Sequence, residues 1–116
     1  DTKHFEPIVE GMWRGVNIPG GGTSNRAFLA GYDVCGKTGT AQNRGKDHSI
    51  FMGFAPMDNP QIAVAVYVEN GGFGASYGVP IGALIMEQYI NGELSPESQA
   101  KVNDIRQRTI YYDDKR

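Results

Sequence analysis

Apolar residues near the amino end of the chain recur at the spacing of a helix. Five of them would share one helical face: Ile8, Val9, Met12, Trp13 and Val16. Pro7 stands just before them, where the first turn of a helix tolerates a missing N–H. The pattern predicts an amphipathic helix over 7–16, followed by a glycine-rich loop over 17–25 that serves as a linker or a binding loop.

Three stretches further along have the residue types of β-strands. They cover 32–42, 49–55 and 61–69. Two segments rich in turn-forming residues, 43–47 and 56–60, join them and are short enough for hairpins. The simplest arrangement is a three-stranded antiparallel meander.

A second helix is predicted over 80–90. Four apolar residues lie on one of its faces: Ile81, Leu84, Ile85 and Tyr89. Asn91-Gly92 is a sequence that commonly ends a helix. Together the helices and strands predict an α+β fold in which helices pack on the three-stranded sheet.

The carboxyl end of the chain differs from the rest in composition. Ser95-Pro96 opens a weak helical signal, after which the sequence becomes charged. We therefore expect two parts, a segment of a larger domain over 1–92 and a peripheral or frayed polar tail over 93–116.

Strand 61–69 is apolar on both faces. One face carries Ile62, Val64, Val66 and Val68, and the other carries Ala63, Ala65 and Tyr67. Such strands lie in the middle of a covered sheet, yet the meander leaves this one at an edge without charges or bulges. We predict that its pairing strand is missing from this chain and that a partner chain or self-association satisfies the edge.

Charge and composition exclude several classes of function. The 116 residues include 11 Lys plus Arg and 13 Asp plus Glu, and the resulting net charge of −2 argues against a nucleic-acid partner. Apolar runs are far shorter than a membrane span, and the chain starts at Asp1 without a signal peptide, so we expect an upstream portion to be missing. One cysteine, Cys35, and two histidines, His4 and His48, predict neither a metal site nor a cofactor.

The candidate chemistry lies on the first predicted strand, in Lys37-Thr-Gly-Thr40. Acyl transfer at a peptide terminus needs a cation near the substrate carboxylate, hydroxyl groups that orient it, and a backbone N–H for the oxyanion. Lys37 supplies the charge, Thr38 and Thr40 supply hydroxyls, and Gly39 leaves room for a substrate beside the strand. An exposed strand edge here would let a peptide add as a further strand.

Residues 5–92 as a whole resemble the carboxyl-terminal part of the transpeptidase domain of class B penicillin-binding proteins, most closely the elongation-type penicillin-binding protein 2 group. Four features carry the resemblance: Glu10-Gly-Met-Trp13; Gly21-Gly-Thr23; Gly36-Lys-Thr-Gly-Thr-Ala-Gln42 followed by Phe51-Met-Gly-Phe-Ala-Pro56; and the apolar strand that runs into Glu69-Asn-Gly-Gly72 before Pro80. The Lys-Thr-Gly element is typical of penicillin-recognising serine acyltransferases.

The resemblance implies a mechanism and a location. A serine of an S-x-x-K motif would attack a D-Ala-D-Ala stem peptide, form an acyl-enzyme and pass the acyl group to an amine, and β-lactams would acylate the same serine. The parent would be a membrane-anchored protein with a periplasmic domain that acts in cell-wall synthesis. Lys37 and Thr40 would be catalytic, with the N–H of Thr40 at the oxyanion, and Thr38, Gly39 and Thr40 would bind substrate.

This sequence departs from the family pattern in one decisive respect. Neither S-x-x-K nor S-x-N precedes Lys37. The downstream match Ser98-Gln-Ala-Lys101 lies on the wrong side of Lys37, in the polar tail, and is expected by chance. The chain is thus predicted to form one wall of an active site, to need the missing upstream part of the domain, and to be inactive alone.

Three other interpretations compete with this one. The chain could be a peptide-binding module without chemistry, since a strand edge can capture peptides. Gly31 to Thr38 also matches a phosphate-binding loop, although the glycines and polar residues after Lys37 disfavour the helix that such a loop needs. Cys35 paired with His48 is a conceivable nucleophile, but a buried strand thiol and two surface histidines are favoured.

The role of the 70–78 loop is left open by the sequence. The loop either flanks the cleft beside Lys37 or is a plain turn.

Overall fold

A computed structural model describes residues 2–20 and 22–110 of the chain. Its regular elements are helix α1 (Phe5–Asn17), strands β1 (Cys35–Ala41), β2 (His48–Ala55) and β3 (Ile62–Val68), and helices α2 (Gly78–Asn91) and α3 (Pro96–Gln107). Short 3-10 turns cover Thr2–His4 and Asn25–Ala27. The predicted α+β class, the three strands and the positions of the first two helices are confirmed. The apolar face predicted for α2 is not its buried face, since Ile85 and Tyr89 are 45% and 63% exposed. The helix instead buries Val79, Ala83 and Met86.

The first strand begins later than the sequence pattern suggests. The sequence pattern places its start at residue 32, but the chain turns over 32–34 because Gly31 and Asp33 adopt positive φ angles of 84° and 48°. Aspartate tolerates this conformation better than most residues. Trp13 of α1 donates its indole N–H to Asp33 at 3.2 Å, which ties the turn to the helix.

The sheet is the predicted antiparallel meander, in the order β1-β2-β3. Thr38, Phe51 and Val66 lie opposite one another across the three strands, so they share one face, and α2 packs on that face. The other face carries Met52 and Tyr67, whose exposed fractions are 54% and 60%. One side of the sheet is therefore a core and the other a largely uncovered apolar surface.

Phe51 forms the centre of the core and is fully buried. Glycines on three elements make room for its ring. A Cβ placed on Gly36 or on Gly82 would lie 2.5 Å from a ring carbon, and one on Gly53 would lie 2.7 Å from it. Side-chain atoms do not approach so closely, so the ring and the three glycines form one packing unit.

Helix α2 ends where the sequence predicted. Gly92 adopts a left-handed conformation, with φ of 83°, and its N–H donates to the carbonyl of Gln88 at 2.9 Å. This is the usual role of glycine after the last helical residue.

Helix α3 is attached to α2 through a buried carboxylate. Glu87 of α2 is 4% exposed, and its two carboxylate oxygens accept hydrogen bonds from the Ser98 hydroxyl and the Ser95 N–H, both at 2.7 Å. The Ser95 hydroxyl also caps α3 by accepting from the Ser98 N–H at 3.2 Å. The helical signal predicted at Ser95-Pro96 is thus confirmed as a regular helix over Pro96–Gln107. This part of the tail is not frayed, and residues 111–116 lie outside the described part.

Strand β3 is paired on one side only within the described residues. Its residues alternate between half-buried side chains toward α2 and exposed ones on the opposite face. The predicted edge is therefore unpaired among residues 2–20 and 22–110, while the partner that would cover it remains a prediction. In the same part of the chain, none of the helices is long and apolar enough to cross a bilayer.

Candidate active-site wall

Strand β1 carries the predicted site residues with Lys37 and Thr38 on opposite faces of the sheet. Lys37 pairs with Met52 and borders an open groove between α1 and the sheet. Pro7, Ile8, Gly11 and Met12 line the rest of that groove. The Lys37 ammonium turns back along the strand and donates to the carbonyl of Thr38 at 2.8 Å. The cation thus lies at the strand edge and not in the core.

The outer edge of β1 presents backbone groups away from β2. The Thr38 carbonyl faces outward, since it accepts the Lys37 ammonium, and backbone groups of every second residue in a strand point to the same edge. By this alternation the N–H of Thr40 is directed to the same outer edge. The Lys37 ammonium and the Thr40 N–H, three positions apart in the sequence, therefore lie at the same edge.

Packing within the sheet does not require a glycine at position 39. A Cβ at this position would meet Ile50 at 3.5 Å, an ordinary van der Waals distance. The contrast with Gly36, which the Phe51 ring requires, shows that the two glycines of the motif have different roles. Gly39 is therefore not required by packing against β2.

The Thr38 side chain lies between two loops. Its hydroxyl is 2.6 Å from the hydroxyl of Thr23, which follows α1. On its other side, a Cβ on Gly74 would come within 3.0 Å of Thr38 and 2.9 Å of the Gly39 carbonyl. The 71–77 loop therefore packs directly on β1, on the face of the sheet that carries Thr38. That it flanks a cleft beside Lys37 stays a prediction.

The glycine-rich loop after α1 is fastened rather than loose. The side-chain amide of Asn25 donates to the carbonyls of Gly15, Val16 and Ile18 at 3.2, 3.1 and 2.9 Å. These carbonyls belong to the end of α1, where helical partners run out. Sequence reasoning missed Asn25; the available signal was an amide residue placed shortly after a helix end.

The 71–77 loop is held from two directions. The Ser49 hydroxyl donates to the Phe73 carbonyl at 2.8 Å and accepts the Gly78 N–H at 3.0 Å. Arg108, just after α3, donates to the Ser76 carbonyl at 2.5 Å and stacks 5.1 Å above the Tyr77 ring. The carboxyl-terminal segment thus contacts a loop that borders the site.

Cys35 and His48 do not form a nucleophilic pair. Cys35 pairs with Phe54 at one end of the β1–β2 hairpin, whereas His48 pairs with Ala41 at the other. His48 was predicted to be a surface residue, but it is half-buried, accepts the Asn70 N–H at 3.0 Å and stacks on Tyr67. His4 is exposed as predicted.

Burial also makes Cys35 chemically inert. The thiol is 0% exposed, and burial, with a smaller contribution from the Asp33 carboxylate, raises its pKa from 9.0 to about 11. Because alkylation needs the thiolate, we expect iodoacetamide to modify Cys35 at pH 8 about a hundredfold more slowly in the folded protein than in urea. Mass spectrometry of the peptide that contains Cys35 measures this rate. Equal rates in the two conditions would contradict the buried position.

The phosphate-loop interpretation is wrong. Lys37 and Thr38 lie within β1, and the chain continues as a strand to Ala41 instead of starting a helix. A phosphate cradle needs the N-terminus of a helix directly after the lysine. Within residues 2–20 and 22–110, moreover, acidic, histidine and cysteine side chains form no group that could hold a metal ion.

Comparison with known proteins decides the family. The family described as the penicillin binding protein transpeptidase domain matches residues 1–88. The chain belongs to this transpeptidase family. Among curated relatives, the peptidoglycan D,D-transpeptidase MrdA of Haemophilus influenzae is 36% identical over 107 residues, which cover 78% of this chain and 16% of that protein.

Solved structures agree with the transpeptidase assignment. The chain is similar to Pseudomonas aeruginosa PBP2 in complex with WCK 5153, with a TM-score of 0.64 and 38% identity over 84% of this chain and 22% of that one. It is also similar to the ceftriaxone acyl-enzyme complex of penicillin-binding protein A from M. tuberculosis, with a TM-score of 0.54 and 32% identity over 57% of this chain and 17% of that one. The transpeptidase chain thus spans about a sixth of the curated relative and of the M. tuberculosis structure, and about a fifth of the P. aeruginosa structure.

Proposed function

We propose that these residues form one wall of the active site of a peptidoglycan D,D-transpeptidase. The observation that carries this proposal is the edge position of Lys37-Thr-Gly-Thr40 on β1, where a cation and an outward backbone donor lie together. Acyl transfer needs these groups beside the reacting carbonyl.

Each residue of the motif then has a role. The N–H of Thr40 stabilises the oxyanion, and the Lys37 ammonium supplies positive charge at the same edge. The Thr38 hydroxyl orients the substrate carboxylate. Gly39 lets the peptide lie close against the strand, which the substrate joins as an added strand.

The attacking group comes from polypeptide outside these residues. In our proposal a serine in the preceding part of the domain attacks the peptide bond between the two D-Ala residues of a stem peptide, releases the terminal D-Ala and forms an acyl-enzyme. An amine then attacks the acyl carbon, forms a new amide bond and frees the serine hydroxyl. β-Lactams acylate the same serine; the acyl-enzyme of the M. tuberculosis relative supports this step. The similarity to cell-wall transpeptidases further supports a periplasmic location in a membrane-anchored parent.

Ser98 does not provide this nucleophile. Its side chain is 3% exposed and its hydroxyl donates to the buried Glu87 carboxylate. The serine of Ser98-Gln-Ala-Lys101 thus has a structural role between α2 and α3.

Mixing the 116-residue chain with the preceding part of its domain tests the proposal. Alone, the chain is expected to show no labelling by a fluorescent penicillin on a gel and to self-associate through strand 61–69 in light scattering. Addition of the preceding segment is expected to restore labelling and dissolve the self-association. Labelling of the isolated chain, or a failure to label in the full-length parent, contradicts the proposal.

The open outer edge of β1 also favours a second function, capture of a peptide strand without chemistry. The same mixture separates the two. A binding module would retain a D-Ala-D-Ala peptide but would remain unlabelled by penicillin after the preceding segment is added.

A further inference from the structure

We propose that Thr23 is a positioning residue that directs the Thr38 hydroxyl toward the substrate carboxylate. This inference rests on the proposed function of β1 and adds a residue outside its motif. The two hydroxyl oxygens are 2.6 Å apart, which is a short hydrogen bond between groups fifteen residues apart in sequence.

The loop around Thr23 is built to hold this contact. On one side, Gly22 packs so closely on α1 that a Cβ would lie 2.7 Å from the Cα of Gly15. On the other side, Ser24 is buried and Asn25 is bound to three carbonyls at the end of α1. The position of Thr23 is therefore fixed by the helix that also borders Lys37.

Counting the hydroxyl protons gives the contact a direction. Each hydroxyl has one proton, so one of the two threonines must donate to the other. A carboxylate can only accept. When it binds Thr38, that hydroxyl donates its proton to the carboxylate, and the bond to Thr23 is then made by the Thr23 proton. Thr23 thus orients the donor without touching the substrate.

Loss of the Thr23 hydroxyl removes this constraint. The Thr38 hydroxyl proton can then rotate toward other acceptors, and its rotamer is no longer fixed by a partner. A typical net hydrogen bond corresponds to a change of roughly three- to tenfold in binding. The loss should appear only for ligands that carry the carboxylate.

The test uses the full-length parent protein, benzylpenicillin and its methyl ester, which lacks the negative charge. For Thr23→Val we expect the second-order acylation rate with benzylpenicillin to fall roughly three- to tenfold while the rate with the ester stays within about twofold. Thr23→Ser keeps the hydroxyl and should restore the benzylpenicillin rate. The exposed Thr109→Val is the matched control and should change neither rate.

Each outcome has one meaning. Equal losses with both ligands in Thr23→Val, no loss with either, or a failure of Thr23→Ser to restore the rate overturns the role of Thr23. Thr38→Val serves as the reference for loss of the carboxylate contact itself. If Thr38→Val removes the preference for benzylpenicillin and Thr23→Val does not, the inference fails while the proposed function stands. If the parent protein is not acylated at all, both fail.

Discussion

Replacement of Lys37 by alanine is expected to lower penicillin acylation of the full-length parent by about a hundred- to a thousandfold, the usual effect of removing one group that stabilises developing charge. The lysine is at the outer edge of β1, and its ammonium is bound to the Thr38 carbonyl. Rapid-quench measurement with a fluorescent penicillin gives the rate. Because Lys37 is exposed, the urea midpoint should remain close to that of the unmodified protein.

Lys101→Ala provides the matched control. This lysine is exposed on α3 and completes the downstream match Ser98-Gln-Ala-Lys101. Its removal should leave the acylation rate within about twofold, since surface side chains remote from the reaction contribute little. A large loss in Lys101→Ala with little change in Lys37→Ala would assign the chemistry to the wrong end of the chain and refute the role proposed for β1.

Phe51→Ala should produce a large loss of stability, because Phe51 is the largest fully buried side chain among the described residues. The side chain is fully buried between the sheet and α2, and the glycines around it cannot fill the space that it would leave. Truncation of a buried phenylalanine costs about 3–5 kcal/mol of the free energy of unfolding. Urea denaturation of a protein that contains the whole transpeptidase domain measures this cost.

Phe73→Ala is the matched control for Phe51→Ala. Phe73 is 74% exposed in the 71–77 loop, so the same change of residue should cost less than about 1 kcal/mol there. Comparable losses from the two substitutions would mean that Phe51 is not the centre of the core.

Much of the fold follows from local sequence patterns. The order of the three strands, the hairpin turns and the end of α2 at Gly92 depend on residue types within a few positions, which sequence reasoning can assess. The attachment of the carboxyl-terminal helix to the rest of the fold does not follow from such local patterns. Helix α3 is held by Ser98 against the buried Glu87, a contact between two polar residues that a hydrophobic pattern does not reveal.

The candidate site was predicted only in part, because some of its residues are neighbours in the sequence and others come together only in the fold. The Lys37-Thr-Gly-Thr40 motif is contiguous, and its place on an edge strand follows from the meander. Its surroundings come from distant segments. Thr23 belonged to a recognised glycine motif, yet its contact with Thr38 depends on the path of the intervening loop, which the sequence does not specify. The burial of His48 likewise arises from its stacking on β3.

The contact between Arg108 and the 71–77 loop means that the carboxyl-terminal segment and the motif strand are mechanically joined. Arg108 donates a hydrogen bond to the Ser76 carbonyl and lies over the Tyr77 ring. In the same loop, Gly74 packs closely on Thr38. Shortening the protein ahead of Arg108 would therefore remove a support of this loop. Truncated versions intended for inhibitor screening should keep this arginine if the loop is to keep its contact with β1.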